Sequence, residues 1–480
     1  MASDSPTPVH DPVRAGAVLA IVLISYFMIV LDNSIVFTGL PSIRADLGFS
    51  TAGLSWVQNA YALVFGGLLL LGARAGDVLG RRRMFLVGLA VFSLASLAIG
   101  LASSPEMMLA ARAVQGVGSA VLAPTSLALL TSTFPEGPER TRAVAAYGTT
   151  AGIGASAGLV VGGLVADLLS WRVGFLINVP IGVALAVATL RTVPRVQVIG
   201  GRFDVLGAVT STLGMTALVY GITRTADHGW SEPAALALVG GGVLVLAAFA
   251  LVEARVKQPI LPLRVLAHRV RVGAFLSRLL FAGAIFGYFF FISQYLQGTL
   301  GFSPLQAGAA FLPMTLVQFA VALTVPRLTR RFGNGALLAG GLAVTAAGMV
   351  WISGVDATSG YWTAVALPML LLGAGQGLGF APLTAAGVHQ VPAADAGAAS
   401  GLVNVAHQLG GALGVSVMVA VAASGATAGS SAAAEASTGL RAGAVLLVLA
   451  LGAALVLVVP WRRTRARAVE VELVEAGSGA

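Results

Sequence analysis

Fourteen apolar stretches divide this chain, each long enough to cross the roughly 30 Å hydrocarbon core of a bilayer. They fall at 15–39, 54–73, 84–102, 107–131, 143–166, 173–190, 205–222, 234–252, 272–296, 305–325, 336–354, 362–385, 399–422 and 440–460. Lipid offers the backbone no hydrogen-bond partner, so such segments fold as helices that satisfy their own N–H and C=O groups. The expected fold class is therefore an all-α polytopic membrane protein with fourteen transmembrane helices and the lipid bilayer as its surroundings. Charged residues are only 10% of the chain and hydrophobic ones 57%, in keeping with that class. The 61 glycines suit helices that approach closely in lipid. There is no cysteine, which excludes disulfides, thiol chemistry and cysteine-ligated metals.

A net charge of +9 suggests a nucleic-acid partner until the charges are placed. An even number of spans puts both termini on one side. Of the 28 Lys and Arg residues, 22 then lie on that side, 4 on the other, and 2, Arg112 and Arg278, inside spans. The positive-inside rule assigns the basic side to the cytoplasm. The expectation is a multi-pass protein of the cytoplasmic membrane with both termini cytoplasmic and no nucleic-acid partner. Residues 1–13 read as a polar cytoplasmic tail, and the first apolar run is too long for the core of a cleavable signal. Residues 461–480 read as a disordered cytoplasmic tail.

The chain repeats itself. Residues 74–91, RAGDVLGRRRMFLVGLAV, match residues 327–344, RLTRRFGNGALLAGGLAV, at an offset of 253 that aligns Arg74 with Arg327, Gly80 with Gly333 and the two GLAV runs. A second echo, GVGSAVLAPTSLAL at 116–129 and GLGFAPLTAAGV at 377–388, follows in the same order. Two matches in one order indicate duplication. The expected organisation is a six-helix half over 14–190, a linker with two extra transmembrane helices over 191–271, and a second six-helix half over 272–460. Two-half helical repeats are characteristic of transporters.

Of the 19 Asp and Glu residues, only Asp32 lies deep in a span. A carboxylate at a helix centre costs about 2.5–3.5 kcal/mol on insertion scales, so its presence points to function, here proton binding. The alternative is a side chain satisfied by Asn33, Ser34 or backbone. Asp32 lies about 11 Å from the outer end of its helix and Arg112 about 8 Å inside the same surface. Equal depth allows an ion pair; the alternative is that Arg112 snorkels to the interface. Gln115 and Ser119 share the Arg112 face at i, i+3 and i+7. Tyr288, Phe291 and Tyr295, with Phe281, make an aromatic face on the ninth span, and Gln58, Tyr61 and Phe65 a mixed one on the second. Such faces either stack flat lipophilic ligands or simply pack. His407, with Asn404 and Gln408, is either a second proton site or solvated polar lining near the inner mouth. Asp77 is placed to pair with Arg81 or Arg82, either as a latch between access states or as a solvated turn. Gly154, Gly158 and Gly162 repeat at i+4, with Gly163 adjacent, a spacing for close helix packing. No nucleophile–base or metal-ligand constellation is visible, so neither enzymatic activity nor a bound metal is expected.

Several of these segments resemble one family. LDNSIVFTGLP (31–41), GARAGDVLGRRR (72–83), LAARAVQGVGSA (109–120), WRVGFLINVPIG (171–182) and GLGFAPLTAAGVHQVPAADAGAASGLVNVAHQLGGALG (377–414) are similar, in order, to the signatures of the fourteen-helix drug:proton antiporter branch of the major facilitator superfamily. The resemblance implies the major-facilitator fold and a proton-coupled antiporter that exports lipophilic small molecules such as drugs and antibiotics by alternating access. It implies a proton gradient as energy source with no cofactor, and a monomer. Asp32 becomes the proton carrier, Arg112 its electrostatic partner, and Gly72, Asp77, Gly80, Arg81 and Arg82 the gating loop. The substrate cavity would draw on Gln58, Tyr61, Phe65, Gln115, Tyr288, Phe291, Tyr295, Asn404 and His407. One departure stands out: the family's fifth-helix motif has Gly-Pro where this chain has Gly158-Leu159. With a single acid in the spans, neutral or monocationic substrates are expected over dications, although Arg112 pulls toward weakly acidic or zwitterionic ones. A proton-coupled importer of a metabolite would use the same acid and fold. A non-transporting scaffold or receptor would not need the acid.

Overall fold

The computed structural model describes residues 12–194, 203–256, 259–392, 395–425 and 431–459. The C-terminal tail, almost all of the N-terminal tail and residues 195–202 of the linker lie outside the described residues. Among the described residues, fourteen helices have the length and hydropathy to span a bilayer. They are α1 (Ala15–Leu47), α2 (Thr51–Leu79), α3 (Arg81–Gly100), α4 (Pro105–Thr133), α5 (Pro138–Leu168), α6 (Trp171–Thr192), α7 (Val205–His228), α8 (Pro233–Glu253), α9 (Arg269–Gly298), α10 (Pro304–Ala322), α11 (Asn334–Ile352), α12 (Trp362–Gly387), α13 (Ala396–Ser424) and α14 (Ala432–Val458). An even number of crossings leaves both described ends on one side, the terminal face. Apolar content marks most of these helices within a turn or two. It stops short at α1, which continues past Pro41 to Leu47, and at α14, which begins at Ala432. Both extensions carry charge (Arg44, Asp46, Glu435), and a helix beyond the lipid needs no apolar side chains.

Prolines break two spans near their N-terminal ends. α6 runs as Trp171–Leu176 and Asn178–Thr192 around Ile177, because Pro180 has no N–H to offer the carbonyl of Leu176. α10 runs as Pro304–Ala310 and Leu312–Ala322 around Phe311, where Pro313 withholds the same bond from Ala309.

The packing is repetitive. α1 lies along α5, α2 and α3 along α4, and α3 along α6. Eight helices later the set recurs: α9 along α13, α10 and α11 along α12, and α11 along α14. The offset of 253 persists in the backbone. Gly80 joins α2 to α3 at φ 96°, and Gly333 precedes α11 at φ 80°, both in the left-handed region that favours glycine. A Cβ on Gly88 of α3 would meet the Leu122 nitrogen at 2.8 Å, and one on Gly341 of α11 the Gly379 nitrogen at 2.7 Å. Backbones touch at both crossings, a contact only glycine permits.

The first six helices meet the last six chiefly where α2 lies against α13 and α5 against α10, and also where α1 meets α9 and α10. Away from the terminal face this seam is closed. Gln297 donates to the Thr38 carbonyl at 3.1 Å, Ser303 to Asp167 at 3.0 Å, and Ser293 to the Phe37 carbonyl. A Cβ on Gly163 of α5 would lie 2.4 Å from the Pro304 carbonyl. Toward the terminal face α5 and α10 part. α5 packs on the Pro304–Ala310 segment of α10 far more than on Leu312–Ala322, and a Cβ on Gly148 or Gly152 would meet open space. The extra pair is peripheral: α7 seats on α2 and α13, while α8 packs on α7 and leaves Leu236, Val243, Leu244 and Leu251 exposed. The connector into α9 is tied down by Arg271, which donates to the carbonyls of Arg264, Val265, His389 and Gln390. Arg264 also pairs with Asp395 at 2.6 Å and holds its carboxyl below the usual carboxylate range.

Candidate functional site: a buried ion pair and an aromatic seam

Asp32 lies where helices of the first half converge, and it is fully buried. Arg112 of α4 donates to its Oδ2 at 2.9 Å. Gln115, one turn on, donates to Oδ1 at 2.8 Å, and Asn178 of α6 to the same oxygen at 2.7 Å. The break at Ile177 sets Asn178 at the start of the second α6 segment, facing the acid. Ser96 of α3 accepts from Gln115 at 2.8 Å and from Asn178 at 3.3 Å. Arg112 is equally buried; its Nε donates to the Val57 carbonyl of α2 at 2.9 Å and its guanidinium lies 4.4 Å over the Tyr61 ring. The pair is therefore real, and Arg112 does not snorkel. Nor do the near neighbours satisfy Asp32: Asn33 accepts from Gln58 at 2.8 Å, and Ser34 donates to the Val30 carbonyl at 3.1 Å.

Such a cluster is held by mutual neutralisation. Each ion loses several kcal/mol of hydration on burial, and only the partner charge and well-aimed hydrogen bonds offset that. Protonation of Asp32 would cancel the charge that Arg112 answers and withdraw an acceptor from Gln115 and Asn178. A change of charge on Asp32 would thus be felt at contacts among α1, α4 and α6.

Other expected residues land differently. Gln115 belongs to the ion-pair cluster and not to a substrate cavity. Tyr61, Phe65 and Gln58 wall that cluster: Tyr61 hydrogen-bonds Ser119 at 2.9 Å, and its ring lies 5.6 Å from that of Phe65. Tyr288, Phe291 and Tyr295 are buried in a core shared by the two halves. There the Tyr295 hydroxyl is spent on the carbonyls of Asp356 and Ser359, and Phe291 fills the space left by Gly439. The aromatic face of α9 thus packs; only Phe291 also reaches a recess, of about 410 Å³, on the face opposite the termini. Asn404 is exposed, and His407 is half-buried, its ring beside those of Phe286 and Phe380 and its Nδ1 without a hydrogen-bond partner among the described residues.

The expected gating loop is mostly helix. Asp77 sits in the last turn of α2, and Gly80 alone is the joint. Gly72 packs α2 on α4, where a Cβ would lie 2.0 Å from the Ala120 carbonyl. Arg81 pairs with Asp77 at 3.3 Å, and Arg82 donates to the Leu190 carbonyl at 2.8 Å, so both contacts stay within the first half. Gly154, Gly158 and Gly162 seat α5 on Val30, Ser34 and Ile35 of α1, the turns that flank Asp32. α5 runs unbroken through Leu159, as expected without the family's proline.

A second cluster lies across the seam and was not assembled from the sequence. Arg278 of α9 stands 3.9 Å over the Phe380 ring. Phe286 and Phe380 flank His407 at 5.3 and 6.1 Å. From the first half, Tyr26 comes within electrostatic reach of Arg278 and stacks on Tyr147 at 3.9 Å. The one available signal was that Arg278 lies inside a span.

Arg112→Ala is expected to lower stability by about 3–5 kcal/mol, because it strands a buried carboxylate. Asp32→Asn combined with Arg112→Gln should recover most of that loss. Unfolding midpoints of the purified variants in one detergent give the comparison, and a double variant no more stable than the single one would contradict the pairing.

A sequence model of the Major Facilitator Superfamily matches residues 22–415. The cephamycin export protein of Amycolatopsis lactamdurans is 42% identical over 409 residues, covering 84% of each chain. The puromycin resistance protein of Streptomyces alboniger is 41% identical over 405 residues, covering 83% of this chain and 80% of its own. Among solved structures, a peptide transporter aligns with a TM-score of 0.68 at 14% identity, covering 93% of this chain and 94% of that one. A bacterial homologue of the lysosomal transporter Spinster, inward-facing, aligns at 0.66 and 16% identity, covering 93% and 97%. These two show a shared fold. With most of its length matched, the chain belongs to the Major Facilitator Superfamily.

Proposed function

We propose that this protein is a proton-coupled antiporter that exports lipophilic small molecules across the cytoplasmic membrane. The observation that carries the proposal is the buried Asp32–Arg112 pair, a proton-sized switch built from three helices of one half. Relatives named for cephamycin export, puromycin resistance, tetracenomycin C resistance and export, and lincomycin resistance support the direction and the class of cargo. The positive-inside distribution assigns the terminal face to the cytoplasm, so the seam is open inward. Residues 14–190 and 272–460 act as two moving bodies, and 191–271 link them through the extra pair. The unit is a monomer driven by the proton gradient without a cofactor.

The cycle follows from the charges. A proton reaching Asp32 from outside weakens its hold on Arg112, Gln115 and Asn178 and frees α1 to shift against α4 and α6. Because α1 also carries Tyr26 at the seam, about 9 Å along the helix from Asp32, its shift changes the cavity wall. Loss of the proton to the cytoplasm restores the pair. Asp77 in the last turn of α2 and Arg81 at the start of α3 lie on the cytoplasmic side, where the bodies must close to open the outer face, and they gate that closure. The expectation of neutral or monocationic cargo took Asp32 as a free charge. With its oxygens already engaged that premise weakens, and substrate charge is taken up below.

Asp32→Asn should abolish export driven by an imposed pH gradient in vesicles, with normal folding. Export at the wild-type rate would exclude Asp32 as the proton carrier. Asp77→Asn should lower turnover more than affinity, since a gate sets the populations of access states. Binding and transport measured separately decide this: an affinity collapse with unchanged turnover of bound substrate means the α2–α3 junction is no gate.

A further inference from the structure

Arg278 is a cation that no acid answers. It lies nine residues into α9, about 14 Å along the helix from Arg269, and is 3% exposed. Its Nε and NH1 are buried without a hydrogen-bond partner, and no carboxylate contributes to its electrostatic surroundings among the described residues. The Phe380 ring satisfies the face of the guanidinium but offers nothing to its in-plane N–H groups. A buried, unpaired charge at this depth is costly enough to need a counter-ion. Asp32 cannot supply it, being engaged by Arg112 within the first half. The walls are aromatic on both sides of the seam: Phe286 and Phe380 from the second half, Tyr26 and Tyr147 from the first. His407 adds a second buried nitrogen without a partner. The site thus offers a planar cation with free donors, matched to a carboxylate, inside an apolar frame that fits a flat body. It also lies where two bodies meet, so an anion bound there bears on both.

We propose that Arg278 and the seam around it seat the carboxylate of a lipophilic, aromatic-bodied substrate. This deepens the export reading and rests on it. It reverses the expected charge preference: a cation finds no free acid at the seam, and a carboxylate finds a free guanidinium.

The test uses three isosteric probes, 2-naphthoate, 2-naphthamide and 2-naphthamidine, binding to the purified protein in nanodiscs near neutral pH, with empty nanodiscs subtracted. Naphthoate should bind at least about tenfold more tightly than the amide, the scale of a hydrogen bond to a charged group, and the amidinium most weakly. Arg278→Gln should erase the preference of naphthoate over the amide. Amide or amidinium binding as tight as naphthoate, no saturable naphthoate binding, or a preference that survives in Arg278→Gln would each overturn the proposal. The wild-type series decides alone where the variant fails to fold. Naphthoate that binds selectively but is never moved across vesicles would overturn the export reading and leave the anion seat standing.

Discussion

A carboxylate and a guanidinium taken wholly out of water set the arrangement of the first half. Neither tolerates that environment alone, so the helices around them supply donors and acceptors in fixed positions: Gln115 and Asn178 for Asp32, the Val57 carbonyl and the Tyr61 ring for Arg112. The Pro180 break in α6 and the glycine row of α5 both read as consequences. One delivers Asn178 to the acid, and the other lets α5 lie on the turns of α1 that flank it. Most polar groups of this cluster are paired, although a terminal nitrogen of Arg112 and the Oδ1 of Asn178 are not, and on the proposed reading a proton on Asp32 shifts the helices that hold it.

The two halves share a packing plan and differ in chemistry. Gly88 and Gly341, and Gly80 and Gly333, do the same work eight helices apart. Among the described residues no ion pair of the second half is fully buried on both sides, and its buried Arg278 instead lies within reach of Tyr26 across the seam. On the proposed reading proton and cargo are divided between the bodies, with α1 carrying a residue of each site, Asp32 and Tyr26. A helix that belongs to both sites is a direct mechanical link between them.

Much of this was legible in the chain. Bilayer physics leaves only helices for long apolar runs, so span number and order follow from composition, and the lone deep acid with an arginine at matching depth pointed to the ion pair. Helix ends were less legible, because α1 and α14 continue on charged residues once outside lipid. The partners Asn178 and Ser96 were missed because a polar residue on an apolar helix acquires meaning only from what faces it. The same limit misdirected the reading of Tyr288, Phe291 and Tyr295: periodicity placed them on one face without saying that the face turns to the core. Tyr26, Tyr147, Arg278 and Phe380 come from four helices spread over most of the sequence, and only the fold brings them together.

On the proposed cycle, Asp32 exchanges its proton in step with the cargo. Proton release on substrate binding tests this most directly, using purified protein in weakly buffered solution with a pH-sensitive dye. Wild-type protein should release protons when substrate is added at a pH where Asp32 is protonated, and Asp32→Asn should bind the same substrate without release. Equal release from both proteins would contradict the account.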